Sequence, residues 1–366
     1  MRRGRLLTAA LVAATTIGLV GATGAAASGA GDRHRNPAAI DLQERFDHIG
    51  AQVHSLTTRP GRTSYYIDEG APGWTPVVFI GGAGTSLEAF QLTEFARTSR
   101  EELGVRVISV ERNGFGESAL DTSLGYADYN AEILAVLQHL GIDRFAIMAI
   151  SGGGAYAAQL AAAAGDRVTS LHVAAAVAST LPGRTVPAAC SRTVEQQNAI
   201  NVAFTHFPKV WWAVAPDSPV HAVPGWQAEA YLDAARSFFV GGQLGAPDAL
   251  THEQRLPCGP GAVVDPDDIT APAYLYWGAV DTSVPPSVMQ VWQAALGSNI
   301  ARATVYPGEG HTVQYRHWDQ TLADIAGFGD HTVICARGRT RLVPERRAQR
   351  LLDHGASLGL CAWSSG

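Results

Sequence analysis

The chain has 366 residues, 46% of them hydrophobic and 16% charged, with a formal net charge of −6. That balance excludes a disordered polypeptide, and the length suffices for one large domain or a domain carrying a sizeable insertion. An acidic chain without a basic patch interleaved with aromatics argues against nucleic acid as a partner.

The N-terminus reads as an export signal. Arg2, Arg3 and Arg5 precede a run without charge from Leu6 to Gly31, and Ala25-Ala26-Ala27 offers an A-x-A cleavage site before Ser28. An uncleaved membrane anchor is the alternative, since the run is long enough to span a bilayer. Its second half, however, is mostly Gly, Ala, Thr and Ser. The expectation is a signal peptide over 1–27, a linker over 28–39, and a secreted, extracellular product with no stable membrane anchor after cleavage. The Arg2-Arg3 pair permits a twin-arginine route, but the rest of that motif is absent. Export makes the four cysteines, Cys190, Cys258, Cys335 and Cys361, candidates for two disulfides. Sequential neighbours are the expected pairs, Cys190 with Cys258 and Cys335 with Cys361. Four buried free thiols are the alternative.

Two short strands flank the turn at Pro60-Gly61. A β/α alternation follows. Pro76–Ile80 is a continuous apolar run, as a strand covered on both faces should be. A helix is expected over Leu87–Leu103, a strand over Val105–Val110, a helix over Tyr126–Leu140, and strands over Phe145–Ile150 and Val168–Val177. Further strands are expected over Ala273–Val280 and Ala301–Tyr306. Strands alternating with helices imply an α/β fold with a mainly parallel central sheet and helices on both faces. The spacing breaks once, between Val177 and Ala273. This stretch is aromatic-rich, and Ala228, Tyr231, Leu232, Ala235, Phe238 and Phe239 follow helical spacing. Such a stripe suits an ordinary core helix or the underside of a cap. The expected organisation is core over 40–177, a helical cap over 178–272, core again over 273–330, and a C-terminal extension over 331–366. A cap joined to the core only at its two ends should have few other ties. In the extension, His331–Ala336 reads as a strand, followed by a helix starting at Pro344.

Ligands of open α/β sheets bind at the carboxyl ends of the strands, where Ser151 sits. Gly152, Gly153 and Gly154 follow it, and Ala149 lies two before. Small neighbours let a sharp strand-to-helix turn expose the serine hydroxyl, as in a nucleophile elbow. Here the pattern is A-x-S-x-G where G-x-S-x-G is usual. The alternative is a serine that caps a helix after a glycine-rich turn and binds phosphate. A serine nucleophile needs a base, and the base an orienting carboxylate. Asp281 follows the strand Ala273–Val280. His311 follows Ala301–Tyr306 in a glycine-bracketed loop. No Cys/His cluster has zinc spacing, there is no H-E-x-x-H and no Walker lysine, so no metal or cofactor is expected.

From about Ser64 to Gly327 the sequence resembles the α/β-hydrolase superfamily, in its cap-bearing serine-hydrolase branch (esterase/lipase or proline-iminopeptidase-like). The elbow, "ERNGFGES" (Glu111–Ser118, with Glu111 where the family has Asp), "GAVDTSVP" and "PGEGH" carry the resemblance. It implies Ser151 as nucleophile, His311 as base and Asp281 as its orienting acid. It also implies an oxyanion hole from the amides of Gly152 and of Gly82 or Ala83, in a loop where Ile80-Gly81 replaces the usual His-Gly. The expected activity is cleavage of a medium-sized apolar ester or lactone, a small-molecule acyl substrate. An aminopeptidase or amidase using Glu195, Glu229 or Asp233 to hold a substrate ammonium is an alternative. So is a binding protein, cyclase or lyase on the same scaffold.

Overall fold

The computed structural model describes residues 51–361 except 95, 206–241 and 243–244. The apolar runs form strands because each is buried along its length: every residue of Val105–Val110 and of Phe145–Ile150 is inside. In chain order the sheet is built from β1 (Val53–Arg59), β2 (Arg62–Glu69), β3 (Thr75–Ile80), β4 (Val105–Val110), β5 (Phe145–Ile150), β6 (Val168–Ala174), β7 (Ala273–Gly278) and β8 (Ile300–Tyr306). Their spatial order is β1-β2-β4-β3-β5-β6-β7-β8. Only the β1–β2 and β2–β4 pairs are antiparallel; every other pair is parallel.

Both faces are covered, as a parallel sheet requires. The helices flanking the sheet are α1 (Arg97–Leu103), α2 (Tyr126–His139) and α3 (Gly154–Ala164). Later in the chain come α4 (Val194–Thr205), α5 (Pro247–Arg255), α6 (Pro286–Leu296) and α7 (Trp318–Ile325). Phe90, Leu103, Trp318 and Leu322 pack on one face, while Ile133, Val136, Leu160 and Trp292 pack on the other.

Three expected elements differ in extent by more than one residue. The helix expected over Leu87–Leu103 is a 3-10 segment, Leu87–Thr93, followed by α1. The Thr93 hydroxyl donates to the Phe90 carbonyl at 2.7 Å, and Glu94 turns inward to pair with Arg100 at 2.9 Å, so the helical period breaks between them. The strand expected to reach Val177 stops at Ala174, because Ala175 takes φ +44°. The strand expected to reach Val280 stops at Gly278.

Within 178–272, the described parts include α4 and α5, while the apolar stripe Ala228–Phe239 lies outside the described residues. Cys190 is joined to Cys258, near the start and end of this insertion. The expectation that the cap has few other ties is overturned by side chains that the pattern does not reveal. Glu253 of α5 reaches the loop after β3, His252 Nε2 bonds the Leu124 carbonyl at 2.8 Å, and Gln159 of α3 donates to the Ala262 carbonyl at 2.7 Å. The C-terminal extension adds a three-stranded antiparallel sheet: β9 (His331–Ala336), β10 (Arg339–Pro344) and β11 (Ser357–Leu358), in the order β10-β9-β11. Helix α8 (Glu345–Leu352) begins just after Pro344, and Cys335 is joined to Cys361.

Candidate active site

Ser151 stands at the carboxyl end of β5, where the strand turns into α3. Its φ is +48°, a left-handed conformation that is uncommon for a residue with a side chain. The turn holds because nothing behind it has bulk. A Cβ on Gly152 would lie 2.4 Å from the Ala83 nitrogen, and one on Gly153 would lie 2.6 Å from the carbonyl oxygens of Ile80 and Gly81. One on Gly154 would come within 2.2 Å of the Val177 carbonyl oxygen. The same crowding brings the Gly81–Ala83 loop against the serine: a Cβ on Gly82 would sit 3.3 Å from Ser151 Cβ. The Val177 amide donates to the Ser151 carbonyl at 2.8 Å and ties the turn to the end of β6.

Asp281 and His311 arrive from the loops that follow β7 and β8. β7 stops at Gly278, where a side chain would collide with the carbonyl oxygens of Glu309 and Gly310 at 2.3 and 2.4 Å. Two loops thus lie against one another, and the Val280 amide donates to the Glu309 carbonyl at 2.9 Å. His311 Nδ1 lies 2.9 Å from Asp281 Oδ2, and His311 Nε2 lies 3.0 Å from Ser151 Oγ. A carboxylate only accepts, so Nδ1 carries the proton. Nε2 is then the acceptor, and the serine hydroxyl donates to it. The other carboxylate oxygen of Asp281, Oδ1, accepts from the amides of Ser283 and Val284 at 2.8 and 2.9 Å. The Asp281 side chain is fully buried, while that of His311 keeps 17% of its exposure. The His311 loop is braced in turn: His317 Nε2 donates to Glu309 Oε1 at 3.0 Å, and the His317 ring stacks on Tyr306 at 3.5 Å.

The loop beside the serine is held by charge. Arg112, just after β4, donates through Nη2 to the Gly82 carbonyl at 2.6 Å, the Thr85 carbonyl at 2.7 Å and Thr85 Oγ1 at 2.8 Å. Its Nη1 faces Glu253 Oε2 at 2.8 Å, and the Gly84 amide donates to Glu253 Oε1 at 2.9 Å. Burial pushes the Glu253 carboxyl above its ordinary range, and the Arg112 guanidinium counters that shift. Glu111, standing where the family pattern has Asp, accepts from the Leu87 amide at 2.9 Å and the Arg112 amide at 3.2 Å. Burial raises its carboxyl to about 8, against the opposing pull of Arg112.

A cavity of about 300 Å³ opens beside Gly152 and Ala83. Ala155, Val177, Pro187 and Ala188 give it an apolar wall, and Tyr126, Tyr156, Arg192, Gln197, Glu253 and Gln254 supply its polar groups. Of the carboxylates expected there, Glu195 is exposed, and Glu229 and Asp233 lie outside the described residues. The carboxylate that does line it, Glu253, is missed by sequence reasoning. Arg112 was visible in the "ERNGFGES" stretch, but nothing in the sequence links it to Glu253.

Residues 77–325 match the alpha/beta hydrolase family. Among curated proteins, the dihydrolipoyllysine-residue acetyltransferase component of the acetoin cleaving system of Pseudomonas putida is 34% identical over 116 residues. That match spans 31% of this chain and only 30% of the relative. Among solved structures, a bromoperoxidase from Bacillus anthracis superposes with a TM-score of 0.58 at 20% identity, covering 75% of this chain and all of the other. An enol-lactonase from Burkholderia xenovorans gives a TM-score of 0.52 at 17% identity, with the same coverage of both chains. At these identities the structural likeness speaks for the fold.

Proposed function

Because this chain belongs to the alpha/beta hydrolase family, we propose that it is a serine hydrolase that cleaves a medium-sized carboxylic ester or lactone through an acyl-enzyme. The observation that carries the proposal is the relay from Asp281 Oδ2 through His311 to Ser151 Oγ, with contacts of 2.9 and 3.0 Å. In this mechanism Ser151 Oγ attacks the acyl carbon as His311 Nε2 takes its proton. Asp281 stabilises the imidazolium. Its second oxygen, already bonded to two amides, holds the carboxylate in place. The oxyanion forms between the backbone of Gly82 and Gly152, whose amides are its donors. His311 then protonates the leaving alcohol, and a water activated by the same nitrogen releases the acid.

An enzyme that holds a substrate ammonium needs a carboxylate with charge to spare. Among the described lining residues the one carboxylate, Glu253, is bound to Arg112 and to the Gly84 amide, and this favours the ester over the aminopeptidase reading. No cofactor enters the chemistry. Two disulfides, with the export signal expected over 1–27, support a place outside the cell.

The experiment is labelling by a fluorophosphonate probe together with turnover of a p-nitrophenyl ester. The wild type should be labelled and active, and Ser151→Ala should lose both while remaining folded. Turnover that survives in Ser151→Ala refutes the mechanism.

A further inference from the structure

Among the described residues, the charges that line the cavity do not cancel. Glu253, the one carboxylate among its described lining residues, is neutralised by Arg112. Arg192 also lines the cavity, and its Nη1 donates to Gln197 Oε1 at 2.9 Å. Among the described residues Arg192 has no ion pair. A guanidinium carries five N–H donors, and this one spends one of them on a neutral amide. Gln197 is itself fixed, since its Nε2 donates to Gln254 Oε1 at 2.6 Å, and both glutamines line the same wall. Arg192 is therefore held by its neighbours without being neutralised.

Two more arginines brace the wall. Arg184 Nη1 donates to the carbonyls of Ser179 and Pro257, and Arg255 Nη1 donates to those of Ala189 and Arg192. Ser179, Pro257 and Ala189 are all lining residues. Neither arginine has a carboxylate ion pair among the described residues. The described residues thus make this part of the lining positive and pre-set, and Ala155, Val177 and Ala188 give the same cavity an apolar surface together with Gly152.

We infer that Arg192 is a specificity residue that binds a carboxylate at the far end of the substrate's acyl chain. The substrate class is then the half-ester of a dicarboxylic acid. Its ester carbonyl meets Ser151, its methylenes lie on the apolar wall, and its free carboxylate takes the unused donors of Arg192 in a charge-assisted, two-pronged contact. Arg192 is half-buried, which makes that contact stronger than the same pair in open water. An ammonium at that position would be repelled. This inference rests on the proposed ester hydrolysis at Ser151 and adds the chemistry of the far end.

The test compares p-nitrophenyl esters matched in length and differing only at the terminus: hexanoyl against adipoyl, and heptanoyl against pimeloyl. The readout is the ratio of kcat/KM, carboxylate over methyl, for the full chain and for its Arg192→Met and Arg192→Lys variants. Protection of Ser151 from a fluorophosphonate probe by free adipate is read in parallel. The wild type should prefer a carboxylate ester of at least one length. Arg192→Met should lower that ratio by about tenfold or more, mainly through KM, and should abolish protection by adipate. Arg192→Lys should keep part of the preference. A wild type that favours the methyl-terminated esters, or a ratio that does not move in Arg192→Met, overturns the assignment and leaves ester hydrolysis standing. If Ser151 is labelled but no ester is turned over, absence of adipate protection overturns it. No labelling of Ser151 at all overturns both the assignment and the reading beneath it.

Discussion

Replacing Glu253 by alanine should damage stability and catalysis together, because one carboxylate serves both. Glu253 and Arg112 are 7% and 3% exposed, and their ion pair spans 2.8 Å. Removing one member of such a pair strands the other charge, which costs roughly 3–5 kcal/mol. The Gly84 amide also loses its acceptor, a loss of roughly 1–3 kcal/mol when a buried donor is left unpaired. These terms do not add, because Arg112 keeps its bonds to Gly82 and Thr85. The expected loss is therefore about 3–5 kcal/mol, read from the urea midpoint at constant m-value. The same change removes the tie from the Gly84 amide and loosens the loop that carries Gly82, so kcat should fall by about tenfold or more while KM changes less. The double replacement Arg112→Met with Glu253→Met removes the stranded charge and should be more stable than Glu253→Ala. A loss below about 1 kcal/mol in Glu253→Ala, with kcat intact, would refute the claim that the pair holds the loop.

Two further outcomes test other parts of the site. Asp281→Asn should lower kcat by roughly 10³–10⁴-fold without unfolding the protein, since the asparagine cannot hold the same tautomer of His311; a normal rate would place the orienting acid elsewhere. Glu111, whose folded value of about 8 lies above the ordinary 4.5, binds its proton more tightly in the folded chain. Its contribution to stability is therefore complete below pH 4.5 and lost as the pH rises to about 8. Thermal melts of Glu111→Gln from pH 5 to pH 9 should show a shallower decline than the wild type, and parallel curves would count against it.

Much of the sheet was legible because its strands are short apolar runs between turn residues. Ser151, Asp281 and His311 were legible for a related reason: each follows a strand, so the topology alone brings their loops to one edge. What escaped detection depends on pairing across distance. Gly84 and Glu253 are 169 residues apart, and no local period links them. The break at Glu94 escaped for the same cause, since its helix is interrupted by a charge turned inward onto Arg100. In the extension, the charges in Arg339–Pro344 hid a strand, because Arg339 and Arg341 face outward while Leu342 and Val343 are buried.

The glycines after Ser151 also constrain how this site can change over generations. Gly152, Gly153 and Gly154 each face backbone atoms at 2.2–2.6 Å from where a Cβ would stand. Every amino acid that a point mutation can put in place of glycine brings that atom. The elbow side of the cavity is therefore closed to gradual exploration. The opposite wall is not: Arg192, Gln197 and Gln254 are side chains whose identity can be exchanged without moving main chain. New substrates would be acquired through Arg192, Gln197 and Gln254, one side chain at a time, while the serine turn stays as it is.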